Sequence, residues 1–157
     1  MRILISLLVF FLATNFALAK TAKDGDNVSV QYIGTLKDGR VFDHNIGKKP
    51  LSFTIGAGDL IQDFEEALLG MNEGETKKIT IEAKNAYGEF DVNKLFRIYR
   101  KELPKDAKEG DTLKYWFGSA FYPVRIVDIG EKEVFIDANH KLAGKDLEFE
   151  ITLKSVN

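Results

Sequence analysis

Val28, Val30 and Tyr32 alternate with Ser29 and Gln31, the period-two pattern of a strand with one buried face. Lys37-Asp38-Gly39-Arg40 follows, and its Asp-Gly pair predicts a tight hairpin turn with both central residues at positive φ. Val41-Phe42-Asp43 is the returning strand. Leu51, Phe53 and Ile55 alternate again, and Gly56-Ala57-Gly58 closes that run. The period then changes. Leu60, Ile61, Phe64, Ala67, Leu68 and Met71 recur at three and four residues, which lays one apolar stripe along a helix. Asp59 is placed to cap its start, with Gln62 in the capping-box position, and Gly70 to end it. Lys77 to Ile81 is a further strand.

Three turns share one chemistry: Asp24-Gly25-Asp26, Glu73-Gly74-Glu75 and Glu109-Gly110-Asp111, each just before a strand-like run. The third marks a fresh start of strand structure after Tyr87, in a block of about Val92 to Asp137 in which Leu113, Tyr115 and Phe117 alternate and Tyr122–Ile129 and Val134–Ile136 supply strands. Phe96, Tyr99, Tyr115, Trp116, Phe117, Phe121, Tyr122 and Phe135 crowd it. So short a segment cannot bury them all, and some are expected at the surface. After it, Leu147, Phe149, Ile151 and Leu153 alternate with Glu148, Glu150, Thr152 and Lys154. That strand needs a sheet, and the first part of the chain offers one. The expected architecture is α+β and mainly β, a sheet domain over residues 20–91 and 138–157 interrupted by a small β domain over 92–137.

The start of the chain changes the picture only at its edge. Met1-Arg2, the apolar run Ile3 to Phe11 and the small-x-small triplet Ala17-Leu18-Ala19 form the pattern of a cleaved export signal over residues 1–19. The mature chain would then begin at Lys20, in a periplasmic or secreted setting and without stable membrane association. A net charge of −2 with no block of like charges gives no footprint for nucleic acid. With no cysteine in the 157 residues, disulfides, thiol catalysis and thiolate metal sites are excluded.

Conventional catalysis finds little support. His44 and His140 stand apart, with neither metal-ligand spacing nor a nucleophile beside them. Asp43, Asp63, Glu65, Glu66 and Asp91 fit a solvated helix face or turns better than a catalytic carboxylate pair. Gly56-Ala57-Gly58 is too short for a phosphate-binding loop. Aromatic and aliphatic side chains instead collect where turns meet strands, at Tyr32, Phe42, Phe53, Leu60, Ile61, Phe64, Tyr87 and Phe149.

The chain from Lys20 onward resembles the FKBP-type peptidyl-prolyl isomerases and, within them, the SlyD-like group. The resemblance lies in Val30-Gln31-Tyr32-Ile33-Gly34-Thr35-Leu36 with Asp38-Gly39 and Val41-Phe42-Asp43, in Pro50-Leu51-Ser52-Phe53, and in Leu60-Ile61 leading to Phe64-Glu65-Glu66-Ala67-Leu68. It continues through Met71, Gly74, Asn85-Ala86-Tyr87-Gly88-Glu89-Phe90-Asp91, Asp137 to Gly144 and Leu147-Glu148-Phe149. It implies a twisted antiparallel sheet around one short helix, with an insert-in-flap domain that binds unfolded polypeptide. It implies an isomerase pocket in which Tyr32, Phe42, Asp43, Ile61, Tyr87 and Phe149 act on the substrate and Phe53, Leu60, Phe64 and Leu51 help to bind it. Leu51 stands where many relatives carry an aromatic residue, and Phe64 where many carry tryptophan on the pocket floor. In the insert, Tyr115, Phe117, Phe121 and Tyr122 are the implied client contacts. X-Pro peptides and unfolded or partly folded proteins are the implied partners of a monomer without a cofactor. SlyD itself ends in a histidine-rich metal-binding tail; none follows Asn157, and metal binding is not expected. Two other readings stay open: a chaperone or peptide-binding module with a weak isomerase pocket, and an acid/base enzyme built on Asp43 and His44.

Overall fold

The strand that needed a sheet is the centre of one. In the computed structural model, which describes residues 20–157, Leu147–Val156 pairs antiparallel with Asn27–Leu36 on one side and with Thr76–Ile81 on the other. In chain order the strands are β1 (Asn27–Leu36), β2 (Val41–His44), β3 (Leu51–Thr54), β4 (Thr76–Ile81), β5 (Leu95–Tyr99), β6 (Thr112–Phe117), β7 (Ala120–Ile129), β8 (Glu133–Asp137) and β9 (Leu147–Val156), with one helix, α1 (Gln62–Glu66), between β3 and β4. The export signal expected over residues 1–19 lies outside the described residues.

The first sheet runs β2-β1-β9-β4, and β3 shares with β2 the outer edge of β1. The register puts Leu36 opposite Leu147, Gly34 opposite Phe149, Tyr32 opposite Ile151 and Val30 opposite Leu153. Because side chains alternate across a strand, this stacks the apolar positions of β1 and β9 on one face. Phe64, Ala67, Leu68 and Met71 complete the core against that face.

The helix is shorter than its apolar stripe. Only Gln62–Glu66 is α-helical, Ile61 caps it without a side-chain bond, and Asp59 does not act as the N-cap. Beyond it, Leu68 N–H to Glu65 O (3.1 Å) and Leu69 N–H to Glu66 O (3.1 Å) tighten the chain into i→i+3 turns, which keep the stripe on one side. A helix of five residues is not stable alone, so packing of Phe64 and its neighbours on the sheet holds it. Lys77, on the strand face toward the core, reaches the Ala67 carbonyl with its Nζ at 2.9 Å.

Two turn expectations resolve differently. The hairpin after β1 has positive φ at Gly39 alone (82°), with Gly39 N–H to Leu36 O at 2.7 Å and Leu36 N–H to Arg40 O at 2.9 Å. That is the wider loop of a turn followed by a left-handed glycine, in place of the predicted tight turn. The three acidic-Gly-acidic turns, by contrast, are one device used three times. Asp26, Glu75 and Asp111 each accept, through the side chain, the N–H of the residue three earlier (Lys23, Asn72 and Lys108) at 2.8 to 2.9 Å.

After Tyr87 the chain leaves the first sheet and builds a second, ordered β5-β8-β7-β6, with its own buried cluster of Ile98, Leu103, Val124, Ile126, Val134 and Ile136. It then returns through Asn139 to Gly144 into β9.

Candidate active site

Gly34, on β1, stands directly opposite Phe149 on β9, and its missing side chain makes room for an aromatic cluster. A Cβ there would lie 2.6 Å from the Phe42 ring and 3.0 Å from the Phe149 ring. The rings meet edge to face: Phe42 with Phe149 at 5.5 Å, Phe64 with Phe149 at 5.1 Å, and Tyr32 with Phe64 at 5.8 Å. Such T-shaped contacts are the favoured geometry of aromatic pairs and fix each ring against its neighbours.

Above this floor opens a cleft of about 320 Å³ lined by Tyr32, Phe42, Asp43, Leu51, Asp59, Leu60, Ile61, Phe64, Tyr87 and Phe149. Nine of these were expected from the sequence. The tenth is Asp59, read there only as a cap. Phe53 stands behind the cleft instead of lining it, buried in the core with its ring 6.2 Å from that of Phe64.

The polar groups of the cleft are few and oriented. The Tyr32 hydroxyl donates to Asp43 Oδ2 at 2.7 Å, and Asp43 Oδ1 accepts the His44 backbone N–H at 2.8 Å. Burial, reinforced by the bond to the Asp43 carboxylate, pushes the Tyr32 phenol up to about 12. Asp43 thus meets the backbone of His44 and not its imidazole, which leaves the acid/base alternative without its central pair. The Ile61 N–H and the Tyr87 hydroxyl have no hydrogen-bond partner among the described residues, so both remain open to a ligand.

Two residues that the sequence reading did not assign to the site hold the walls. Asn45, buried, fills the gap between β2 and β3 along β1: its Oδ1 accepts the Tyr32 N–H at 2.8 Å and its Nδ2 donates to Val30 O at 2.9 Å. Glu65 is buried too, although the helix pattern placed it on a solvated face. Its carboxylate accepts the N–H groups of Gly56 (2.8 Å), Leu60 (2.9 Å) and Gly58 (3.4 Å), so it ties down the loop that carries Leu60 and Ile61. Burial pushes its pKa up, but the backbone N–H groups outweigh that and hold the carboxyl below its ordinary value. Neither residue has a sequence signal beyond its type, since a buried carboxylate is recognised only once the loop wraps around it.

Of the aromatics in the second sheet, Tyr115 and Phe117 are half-buried and pack on its inner cluster, and the Tyr115 hydroxyl donates to Glu102 at 2.5 Å. Phe121 and Trp116 are exposed together, their rings 4.4 Å apart, while Tyr122 is exposed beside the inner cluster, its ring 6.0 Å from that of Phe117. Among the described residues there is no group of three or more His, Asp and Glu side chains able to hold a metal ion.

Similarity to known proteins runs along most of the described chain. The model of the FKBP-type peptidyl-prolyl cis-trans isomerases matches residues 19–154. The short-type peptidyl-prolyl cis-trans isomerase of Methanocaldococcus jannaschii is 34% identical, the match covering 85% of this chain and 93% of that protein. The FKBP-type isomerase SlyD of Aeromonas hydrophila is 32% identical over 82% of this chain and 61% of that protein, and SlyD of Treponema pallidum 32% identical over 82% and 74%.

Proposed function

This chain belongs to the FKBP-type peptidyl-prolyl cis-trans isomerases, and from that premise we propose that it isomerises X-Pro bonds in the aromatic cleft while the exposed aromatics of the second sheet hold the client chain. The observation that carries the reading is the cleft itself: three phenylalanine rings, a tyrosine–carboxylate pair and two unpartnered donors, without a nucleophile.

Rotation about the peptide bond faces a barrier of about 18–20 kcal/mol because the C–N bond is partly double. Resonance places charge on the carbonyl oxygen, and water stabilises that planar form. Transfer into a dry aromatic site removes the water and favours the twisted, less polar amide. Phe42, Phe64 and Phe149 contain the proline ring, the Ile61 N–H holds a substrate carbonyl, and the Tyr87 hydroxyl positions the chain. Asp43 orders the rim by holding Tyr32. No proton moves between protein and substrate.

Residues 92–137 act as the client-holding insert. Its exposed Trp116, Phe121 and Tyr122 offer adaptable apolar contact, and a client bound there has a high effective concentration at the cleft. The protein works as a monomer on X-Pro peptides and partly folded proteins. The amino-terminal pattern supports export to the periplasm or beyond. Deleting residues 92–137, with a short linker in their place, tests the division of labour. Isomerisation of a short X-Pro peptide should stay within about threefold, while catalysis of a proline-limited refolding reaction should fall by tenfold or more. Equal loss on both substrates contradicts it.

A further inference from the structure

Tyr87 is 44% exposed and its hydroxyl bonds to nothing among the described residues, yet its ring forms one wall of the cleft. A tyrosine so placed keeps its rotameric freedom unless something backs it. The His140 ring does: it lies 3.9 Å from the Tyr87 ring, 13° from parallel, and no other ring pairs with Tyr87 among the described residues.

The histidine is itself fixed. Its Nδ1 accepts the N–H of Leu142 at 3.2 Å, and Leu142 is buried in the first core. On either side of the stack, the segment leaving the first sheet is clasped to the segment returning to it. Gly144 N–H reaches Gly88 O at 2.8 Å, and Asn139 accepts the Asp91 N–H at 3.0 Å while giving its Nδ2–H to Asp91 O at 2.9 Å. Gly144 has φ of 70°, and a Cβ there would lie 3.0 Å from Phe90 Cβ, so the clasp is close-packed as well as bonded. Asn139 also bonds Asp137 Oδ1, at the end of β8, at 2.8 Å. The outgoing chain, the return chain and the second sheet therefore meet around one pair of rings.

We infer that His140 is a positioning residue for the isomerase cleft: its ring backs Tyr87 and holds it as a wall, so the segment returning from the second sheet sets one side of the site. This rests on Tyr87 lining the isomerase site, as proposed above. The neutral imidazole suits the role, since Nδ1 is already occupied as an acceptor; burial and the neighbouring Lys141 both lower its pKa.

Four variants of the full chain separate ring from hydrogen bond. His140→Ala removes both, His140→Asn keeps an acceptor for the Leu142 N–H, His140→Phe keeps the ring, and Tyr87→Ala is the reference. The readouts are kcat/KM on a short X-Pro peptide, thermal melting to confirm folding, and the NMR shifts of the Tyr87 ring protons. His140→Ala and His140→Asn should each lose about three- to tenfold in kcat/KM, with the Tyr87 protons moving toward the positions of a free tyrosine. His140→Phe should retain the wild-type rate and shifts. Tyr87→Ala should lose at least as much, and adding His140→Ala to it should cost nothing further. A wild-type rate in His140→Ala beside an impaired Tyr87→Ala overturns the inference alone. Equal loss in His140→Phe and His140→Ala assigns the effect to the backbone bond and also overturns it. A wild-type rate in Tyr87→Ala overturns the placement of Tyr87 in the site and the inference with it.

Discussion

Tyr32 shows how far a single side chain can be read. Its type and its place on a half-buried strand were legible; its partners were not, because Asp43 and Asn45 reach it only after β2 has folded back on β1. The phenol holds its proton up to about 12, against an ordinary value of 10.0. Between those values the folded chain binds a proton that the unfolded chain has lost, so this contribution to stability falls as pH rises through the window. Denaturant titrations at about pH 9 and about pH 11 should show wild type losing more stability between the two than Tyr32→Phe does. Equal losses would place the hydroxyl outside the Asp43 bond. Gly34 is a different case: it appears in the motif, but that it must be glycine follows only from the rings that press on it.

The loop between β3 and α1, tied down by Glu65, is the element on which the cleft depends. Periodicity located the helix stripe but not the helix length, since i→i+3 turns after residue 66 present nearly the same face as an α-helix does. It also assigned Glu65 to solvent, because the loop that covers the carboxylate lies outside the helix and leaves no trace in its spacing. With its folded pKa below the ordinary 4.5, the carboxylate contributes stability that is present above that value and lost as pH falls through the folded one. Glu65→Gln should cost about 1–3 kcal/mol at neutral pH, because one buried acceptor is exchanged for an unpartnered amide. The difference from wild type should shrink in acid. Paired melts at neutral and acid pH check this; a constant difference would show that the charge does not hold the loop. The strand alternations were legible for the complementary reason: β9 carries its burial pattern in its own sequence, and only β1 and β4 could cover it.

At the scale of the molecule, two sheets with separate cores are joined by one outgoing and one returning segment. The alternation of β6, the strand-like run of β7 and the clustering of aromatics foretold the second sheet. Which of those aromatics would face solvent depended on the register of β6 on β7, which pairs Trp116 with Phe121 and Tyr115 with Tyr122. Trp116 is the only tryptophan and is half exposed, so it reports on that surface. Its emission should shift to the blue when a permanently unfolded protein is added, and stay unchanged with a short X-Pro peptide that fills the cleft. A shift with the peptide alone would place the peptide site on the second sheet. The central claim, that the cleft of the first sheet is where the amide rotates, is tested most directly by NMR exchange on a short X-Pro peptide with wild type and Phe42→Ala. Phe42 is only half buried, so its loss should leave the fold intact. Acceleration by wild type, cut by at least about tenfold in Phe42→Ala at an unchanged melting profile, is the predicted result; full acceleration by the folded variant would contradict it.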